Sequence, residues 1–162
     1  MRNSETVKKK VMKLLFPGSF DPFTIGHADL VERALRLADK VVIAIGVNEE
    51  KRPLLSSDVR RKAISEYYRD DPRVTVIEYR GLTVDAVREY GCDAILRGIR
   101  SETDYDKERS LADVNRAIEG VETVLLVASQ QLQHVSSSLV RELHSFGRPV
   151  DGLVIDTIKI DD

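Results

Sequence analysis

Apolar residues concentrate in five short runs, at 11–16, 41–47, 74–79, 94–96 and 121–128. Several are unbroken and rich in Val, Ile and Leu, as strands buried on both faces require. Between them, apolar positions recur at helical spacing over 27–38, 58–68, 84–90 and 104–119, and a last such stretch covers 137–146. Gly91 and Gly120 stand just past two of these stretches, where a left-handed cap is favoured. Ser56 or Ser57 can cap the second helix, and Asp58 suits its positive end. The final helix begins in a serine run and stops at Gly147-Arg148-Pro149. Strands alternating with helices predict an α/β fold, a doubly wound five-stranded parallel sheet with helices on both faces. Ligands of such folds bind beyond the carboxyl ends of the strands. The chemically unusual residues are expected immediately after each strand.

Length narrows this to one domain. The chain has 162 residues, so a single unit over 11–162 is expected, preceded by a polar extension over 1–10. A chain of this size buries roughly 70% of its unfolded surface, enough for a core without covalent staples. Lysine plus arginine number 25 against 27 acidic residues, a formal charge of −2. That balance lacks the positive excess of a nucleic-acid or anionic-membrane binder, so neither is expected as a partner. Cys92 is the single cysteine, which excludes an internal disulfide and fits a reducing compartment. No apolar run reaches membrane-span length, and the first run is too short for a secretory signal. A cytoplasmic location is therefore the expectation. His27, His134 and His144 are scattered and there is one cysteine, which argues against a zinc or redox protein.

The first strand is followed by Pro17-Gly18-Ser19-Phe20-Asp21-Pro22-Phe23-Thr24-Ile25-Gly26-His27, opening a helix. Free backbone N–H groups at a helix start make an anion site. The helix dipole there disfavours a cation, so His27 should be held neutral and able to donate to a phosphate oxygen. Lys51 follows the second strand as a compact loop cation. Thr83 follows the third and alone reads as a helix cap. Arg97-Gly98-Ile99-Arg100 follows the fourth, with two guanidinium groups flanking a residue that permits close backbone approach. Asp104 and Asp106 suit the start of the next helix. After the fifth strand, Ser136, Ser137 and Ser138 offer more hydroxyls than one cap needs. None has a base with an orienting partner nearby, so none is read as a nucleophile.

The first of these strings resembles the T/H-x-G-H signature of the nucleotidyltransferase superfamily, and in its full form is most similar to the phosphopantetheine adenylyltransferase family. Four more resemblances follow in order: K-[KR]-P at Lys51, the loop at Thr83, the paired arginines with D-[FY]-E-x-E at Asp104–Glu108, and I-S-S-[ST]-x-[VI]-[RK] at the serine run. The likeness spans about residues 12–147. It implies a Rossmann-like nucleotidyltransferase fold and adenylyl transfer from ATP to 4′-phosphopantetheine, giving dephospho-CoA and pyrophosphate. It implies that His27, Lys51 and Arg100 act in catalysis, and that Ser19, Lys51, Thr83 and Arg97 hold the acceptor. ATP is assigned to Ser19, Phe20, His27, Gly98, Ile99, Arg100 and Glu108, with Leu132, Gln133, His134, Val135, Ser136, Ser137 and Ser138. Magnesium is expected to arrive with ATP, with no protein metal ligand. A homohexamer and feedback by coenzyme A are implied by the resemblance alone.

The sequence departs from the family at several positions. Ser19 replaces the commoner threonine, Phe16 a tyrosine, and Asp106-Lys107 a glutamate-aromatic pair, while Leu132 and His134 fall where relatives carry aromatics. The tail after Pro149 is short for the family's usual final helix. Two rival readings are a related nucleotidyltransferase acting on nicotinamide mononucleotide or a polyol phosphate, and a non-catalytic nucleotide-binding module.

Overall fold

The computed structural model describes residues 9–160, so the expected extension lies outside the description except for Lys9 and Lys10. Five parallel strands form one sheet: β1 (Lys13–Gly18), β2 (Lys40–Gly46), β3 (Val74–Tyr79), β4 (Ala94–Ile99) and β5 (Glu122–Val127). Their order is β3-β2-β1-β4-β5, the doubly wound arrangement expected. The helices are α1 (Ile25–Ala34), α2 (Ser57–Tyr67), α3 (Thr83–Glu89), α4 (Glu102–Glu119) and α5 (Ser137–Ser145).

The five apolar runs become the five strands, of which β1 and β2 are the most continuously buried. Leu14 and Phe16 face one layer, with Leu30, Val31 and Ala34 of α1 and Ala63 and Ile64 of α2. Leu15 faces the other, with Val42, Ala44, Ile95 and Ala86 and Val87 of α3. Burying one such side chain stabilises by roughly 1.5–3 kcal/mol, so a one-residue slip of β1 would exchange its two faces and lose both layers.

The strand ends differ from the sequence reading, and the differences build the site. β1 starts and ends two residues later than expected, leaving Val11 and Met12 exposed and drawing Pro17 and Gly18 into register with Ala44 and Ile45. β4 runs three residues past Leu96, so Arg97, Gly98 and Ile99 lie within the sheet, paired with Leu125, Leu126 and Val127. The expectation that they follow the strand is corrected: the β5 ladder carries β4 on through Arg97-Gly98-Ile99, a stretch that no apolar run marks. β1 and β4 themselves pair only at Leu14–Ala94 and Leu15–Ile95. Beyond that point they diverge where the strand order reverses, opening a crevice at their carboxyl ends.

Helix starts are fixed by capping. Thr24, Ser56, Ser101 and Ser136 cap α1, α2, α4 and α5 with side-chain oxygens. α1 therefore begins two residues before His27 and ends at Ala34, short of the expected 38. Gly91 and Gly120 take the left-handed conformation expected of them. After α5 the tail is a strap that passes through two turns: Leu153 accepts from Ile25 N–H at 3.0 Å, Val154 bridges Thr24, and Ile155 and Ile158 enter the core.

Candidate active site

The 17–24 loop forms the floor of the crevice and is held from several sides. Phe20 adopts φ +49, a left-handed conformation that a bulky residue keeps only under external constraint. A Cβ on Gly18 would meet the Phe20 ring at 3.0 Å, so the glycine makes room for that ring. The Asp21 carboxylate accepts the Leu54 and Leu55 N–H groups at 2.7 and 2.8 Å. Four loop carbonyls accept side-chain donors: Pro17 from Arg97 (2.6 Å), Ser19 from Arg60 (2.5 Å), Asp21 from Arg141 (2.9 Å) and Pro22 from Ser137 (2.8 Å).

His27 completes a capping box: its N–H donates to Thr24 Oγ1, while its Nδ1 accepts the Thr24 N–H at 2.9 Å. An accepting Nδ1 fixes the neutral tautomer with its proton on Nε2. The ring packs against Phe16, Phe20 and Phe23 at centroid distances of 6.1, 5.0 and 5.2 Å. Burial among these rings, then the charges of Arg97 and Arg100, lower its pKa to about 3. His27 is thus a neutral donor at physiological pH, as expected, with burial the larger cause.

Two cavities meet at this floor. The first, of about 330 Å³, is lined by Ser19, Phe20, His27, Gly98, Arg100 and Glu108, and by Leu132, Val135 and Ser136, Ser137 and Ser138 across the crevice. The second, of about 520 Å³, lies between α3 and α4 and is lined by Thr83, Tyr79, Leu111, Val114, Asn115 and Ile118. Ser19, Arg97 and Glu108 line both. Arg97 grips Glu108 through two bonds of 2.8 Å, and Glu108 is only 6% exposed. This forked ion pair is the wall between the cavities.

Each expected site residue now has a place. The three serines have separate tasks: Ser136 caps α5, Ser137 donates to Pro22, and Ser138 accepts from Arg141 at 3.2 Å. Thr83 is not a cap, since Leu82 occupies that position; its hydroxyl shares a 2.9 Å bond with the Tyr79 hydroxyl. Arg100 binds Asp104 at 3.2 Å at the edge of the first cavity. Glu108 meets Arg97 instead of offering a free carboxylate. Ile99, Gln133 and His134 line neither cavity, and Lys51 stands exposed in the turn beyond cavity-lining Asn48.

Sequence reasoning missed Arg141 and Lys107 in the first cavity and the α4 face in the second. Arg141 closes a quoted signature and could have been taken from it. Leu111, Val114 and Ile118 form a helical stripe that reads as ordinary core. Among the described residues, no group of three or more His, Cys, Asp or Glu could hold a metal ion, and no helix is long and apolar enough to cross a membrane.

Residues 15–143 match the cytidylyltransferase-like family. The chain is 55% identical over 147 residues to the phosphopantetheine adenylyltransferase of Porphyromonas gingivalis, covering 88% of this chain and 96% of that protein. Its identity to the phosphopantetheine adenylyltransferase of Phocaeicola vulgatus is 44% over 149 residues, covering 92% and 99%. The structure of a bifunctional NMN adenylyltransferase/ADP ribose pyrophosphatase from Francisella tularensis superposes with a TM-score of 0.69 at 15% identity, over 92% of this chain and 46% of that one. That likeness shows the fold, the Rossmann-like nucleotidyltransferase architecture. Matched over nearly their full length by relatives of one name, with the superfamily's fold and its crevice at the switch point, the chain belongs to the phosphopantetheine adenylyltransferase family of nucleotidyltransferases.

Proposed function

We propose that the two cavities hold the two substrates of one transfer: MgATP in the first, 4′-phosphopantetheine in the second, with the adenylyl group passing between them beside Arg97. The observation that carries this is the contrast in lining across one shared wall. The first cavity gathers His27, Arg100, Arg141 and the α5 serines, donors for a polyphosphate. The second gathers an aliphatic α4 face with Thr83 and Asn115 at hand, suited to an extended amide-bearing arm.

The acceptor needs no general base. A phosphate monoester has its second pKa near 6 and is largely dianionic at neutral pH. One of its oxygens attacks the α-phosphorus of ATP in line, forming a P–O bond as the bond to the pyrophosphate oxygen breaks. The task is to hold two anions together and stabilise the charge developing on the α-phosphate and leaving group. His27 serves through Nε2–H, Arg100 through its guanidinium, and the backbone N–H groups of Phe20 and of Ser137 at the start of α5 as further phosphate donors. Ser19, lining both cavities, orients the acceptor phosphate with Arg97. Lys51 is the third catalytic cation, a role that needs its side chain to reach inward from the 48–53 turn. Asp104 and Glu108 are taken up by Arg100 and Arg97, so magnesium enters as part of the substrate, held by ATP. Assembly as a homohexamer, feedback by coenzyme A and a cytoplasmic setting belong to the same proposal.

The test is pyrophosphate release from MgATP with 4′-phosphopantetheine, beside a reaction given nicotinamide mononucleotide. Release with the first acceptor alone is expected. Release with the second alone would reassign the larger cavity, and release with neither from protein that binds ATP would leave a nucleotide-binding module.

A further inference from the structure

Arg60 has no part in either cavity, yet it is 4% exposed and makes no ion pair among the described residues. Its donors go to backbone carbonyls: Nε to Leu55 at 3.0 Å and Nη1 to Ser19 at 2.5 Å. Asp21 and Glu78 supply the compensating negative potential. Burying a guanidinium carries a desolvation penalty, and an aliphatic side chain could fill the same space on α2. The position of its Ser19 contact accounts for the charge.

The Ser19–Phe20 peptide is trans, so its carbonyl and its N–H point in opposite directions. Arg60, which lines neither cavity, takes the carbonyl, while Ser19 and Phe20 themselves line the first. The Phe20 N–H has no hydrogen-bond partner among the described residues, so it is free for a ligand of that cavity. A charge-assisted bond at one end of a peptide polarises it and makes the N–H at the other end a stronger donor. The same bond restrains the left-handed Phe20 backbone, which has no glycine to ease it.

We propose that Arg60 is a positioning residue for the transfer, aiming and polarising the Ser19–Phe20 peptide from behind so that its N–H binds a phosphate oxygen of the nucleotide. This rests on the proposal that the first cavity is the polyphosphate site. It adds a contributor that touches neither substrate and belongs to none of the five signatures.

The experiment uses the full-length protein with Arg60→Met and Arg60→Lys, at a temperature where circular dichroism shows each variant folded. Pyrophosphate and 4′-phosphopantetheine are each titrated by calorimetry, and kcat is measured alongside. Arg60→Met should weaken pyrophosphate binding about tenfold and lower kcat about 10- to 100-fold, with 4′-phosphopantetheine affinity within twofold of the parent. Arg60→Lys, which keeps a charged donor, should recover most of both losses. If Arg60→Met lowers only thermal stability, or weakens both ligands equally, the residue is merely structural and the proposal fails. Equal losses in the Lys and Met variants also overturn it. Should Arg60→Met not fold, Arg60→Gln carries the same ligand comparison with a neutral donor. Parent protein that binds no pyrophosphate would instead refute the site assignment, an outcome separate from any effect of Arg60.

Discussion

The two cavities share a wall and differ in almost everything else. The first is built from loops and helix starts, where the backbone turns and N–H groups are left over: the 17–24 loop, the first turn of α1, the start of α5. The second also meets the 17–24 loop and the loops after β2 and β3, but its largest single contribution is one face of α4, with the start of α3 opposite. Helix and strand ends supply directed donors and positive potential, whereas helix flanks supply area. A polyphosphate needs the first kind of surface and an extended arm the second. The Arg97–Glu108 pair lets the two adjoin, since its forked geometry fixes Arg97 against both.

The largest effect should come from emptying the donor side. His27→Ala is expected to lower kcat by about 10²-fold or more, the usual loss for one preorganised donor, while the KM for 4′-phosphopantetheine changes little. Steady-state kinetics on protein with an unaltered melting profile checks this. Near-parental turnover would remove His27 from the chemistry and blur the contrast between the cavities.

Breaking the wall should injure both sides. Glu108→Gln leaves Arg97 facing a neutral acceptor; because Arg97 is part exposed and water can reach it, about 2–3 kcal/mol of stability is expected to be lost, less than for a fully buried pair. Urea unfolding gives that figure. The KM values for both substrates should rise together, and a rise for only one would assign the pair to that cavity.

His27 also gives the donor side a pH signature. Its pKa falls from 6.5 to about 3 on folding. Below pH 6.5 the unfolded chain binds a proton that the folded chain refuses, so this contribution to stability is lost as pH falls from 6.5 toward 3. The carboxylates lowered by folding (Asp58, Asp71, Asp93 and Glu122) act in the same direction but only at more acid pH. Between pH 6.5 and 5 the His27 share amounts to roughly 2 kcal/mol. Denaturant unfolding across that interval should show the slope in the parent and its loss in His27→Gln.

These differences bear on what a sequence discloses. β1 and β2 are legible because strands buried on both faces must be apolar throughout. The far end of β4 is not, because Arg97, Gly98 and Ile99 are strand only through their register with β5. His27 is legible as part of an eleven-residue string, and its neutrality follows from its place at a helix start, though burial against three phenylalanines proves the stronger cause. The Arg97–Glu108 pair depends on how α4 lies across β4, which local pattern does not contain. Arg60 is the extreme case: an arginine in Asp58-Val59-Arg60-Arg61-Lys62 reads as solvated helix surface, and only the fold turns it inward.

The acceptor side offers the smallest and most selective test. Leu111, Val114 and Ile118 are 46%, 51% and 51% exposed, so they contribute little to the core and their aliphatic surface lies open along the second cavity. Truncating Leu111 to alanine removes contact area without uncovering a buried polar group. The expected loss of acceptor binding is about 1–2 kcal/mol, the scale on which hydrophobic pockets discriminate, or roughly a tenfold rise in the KM for 4′-phosphopantetheine. Thermal stability and the KM for MgATP should stay close to parental values. If both KM values rise, Leu111 acts through the shared wall and the cavities are less independent than their linings imply. If neither rises, the arm of the acceptor does not lie along this face of α4, and the aliphatic stripe needs another occupant.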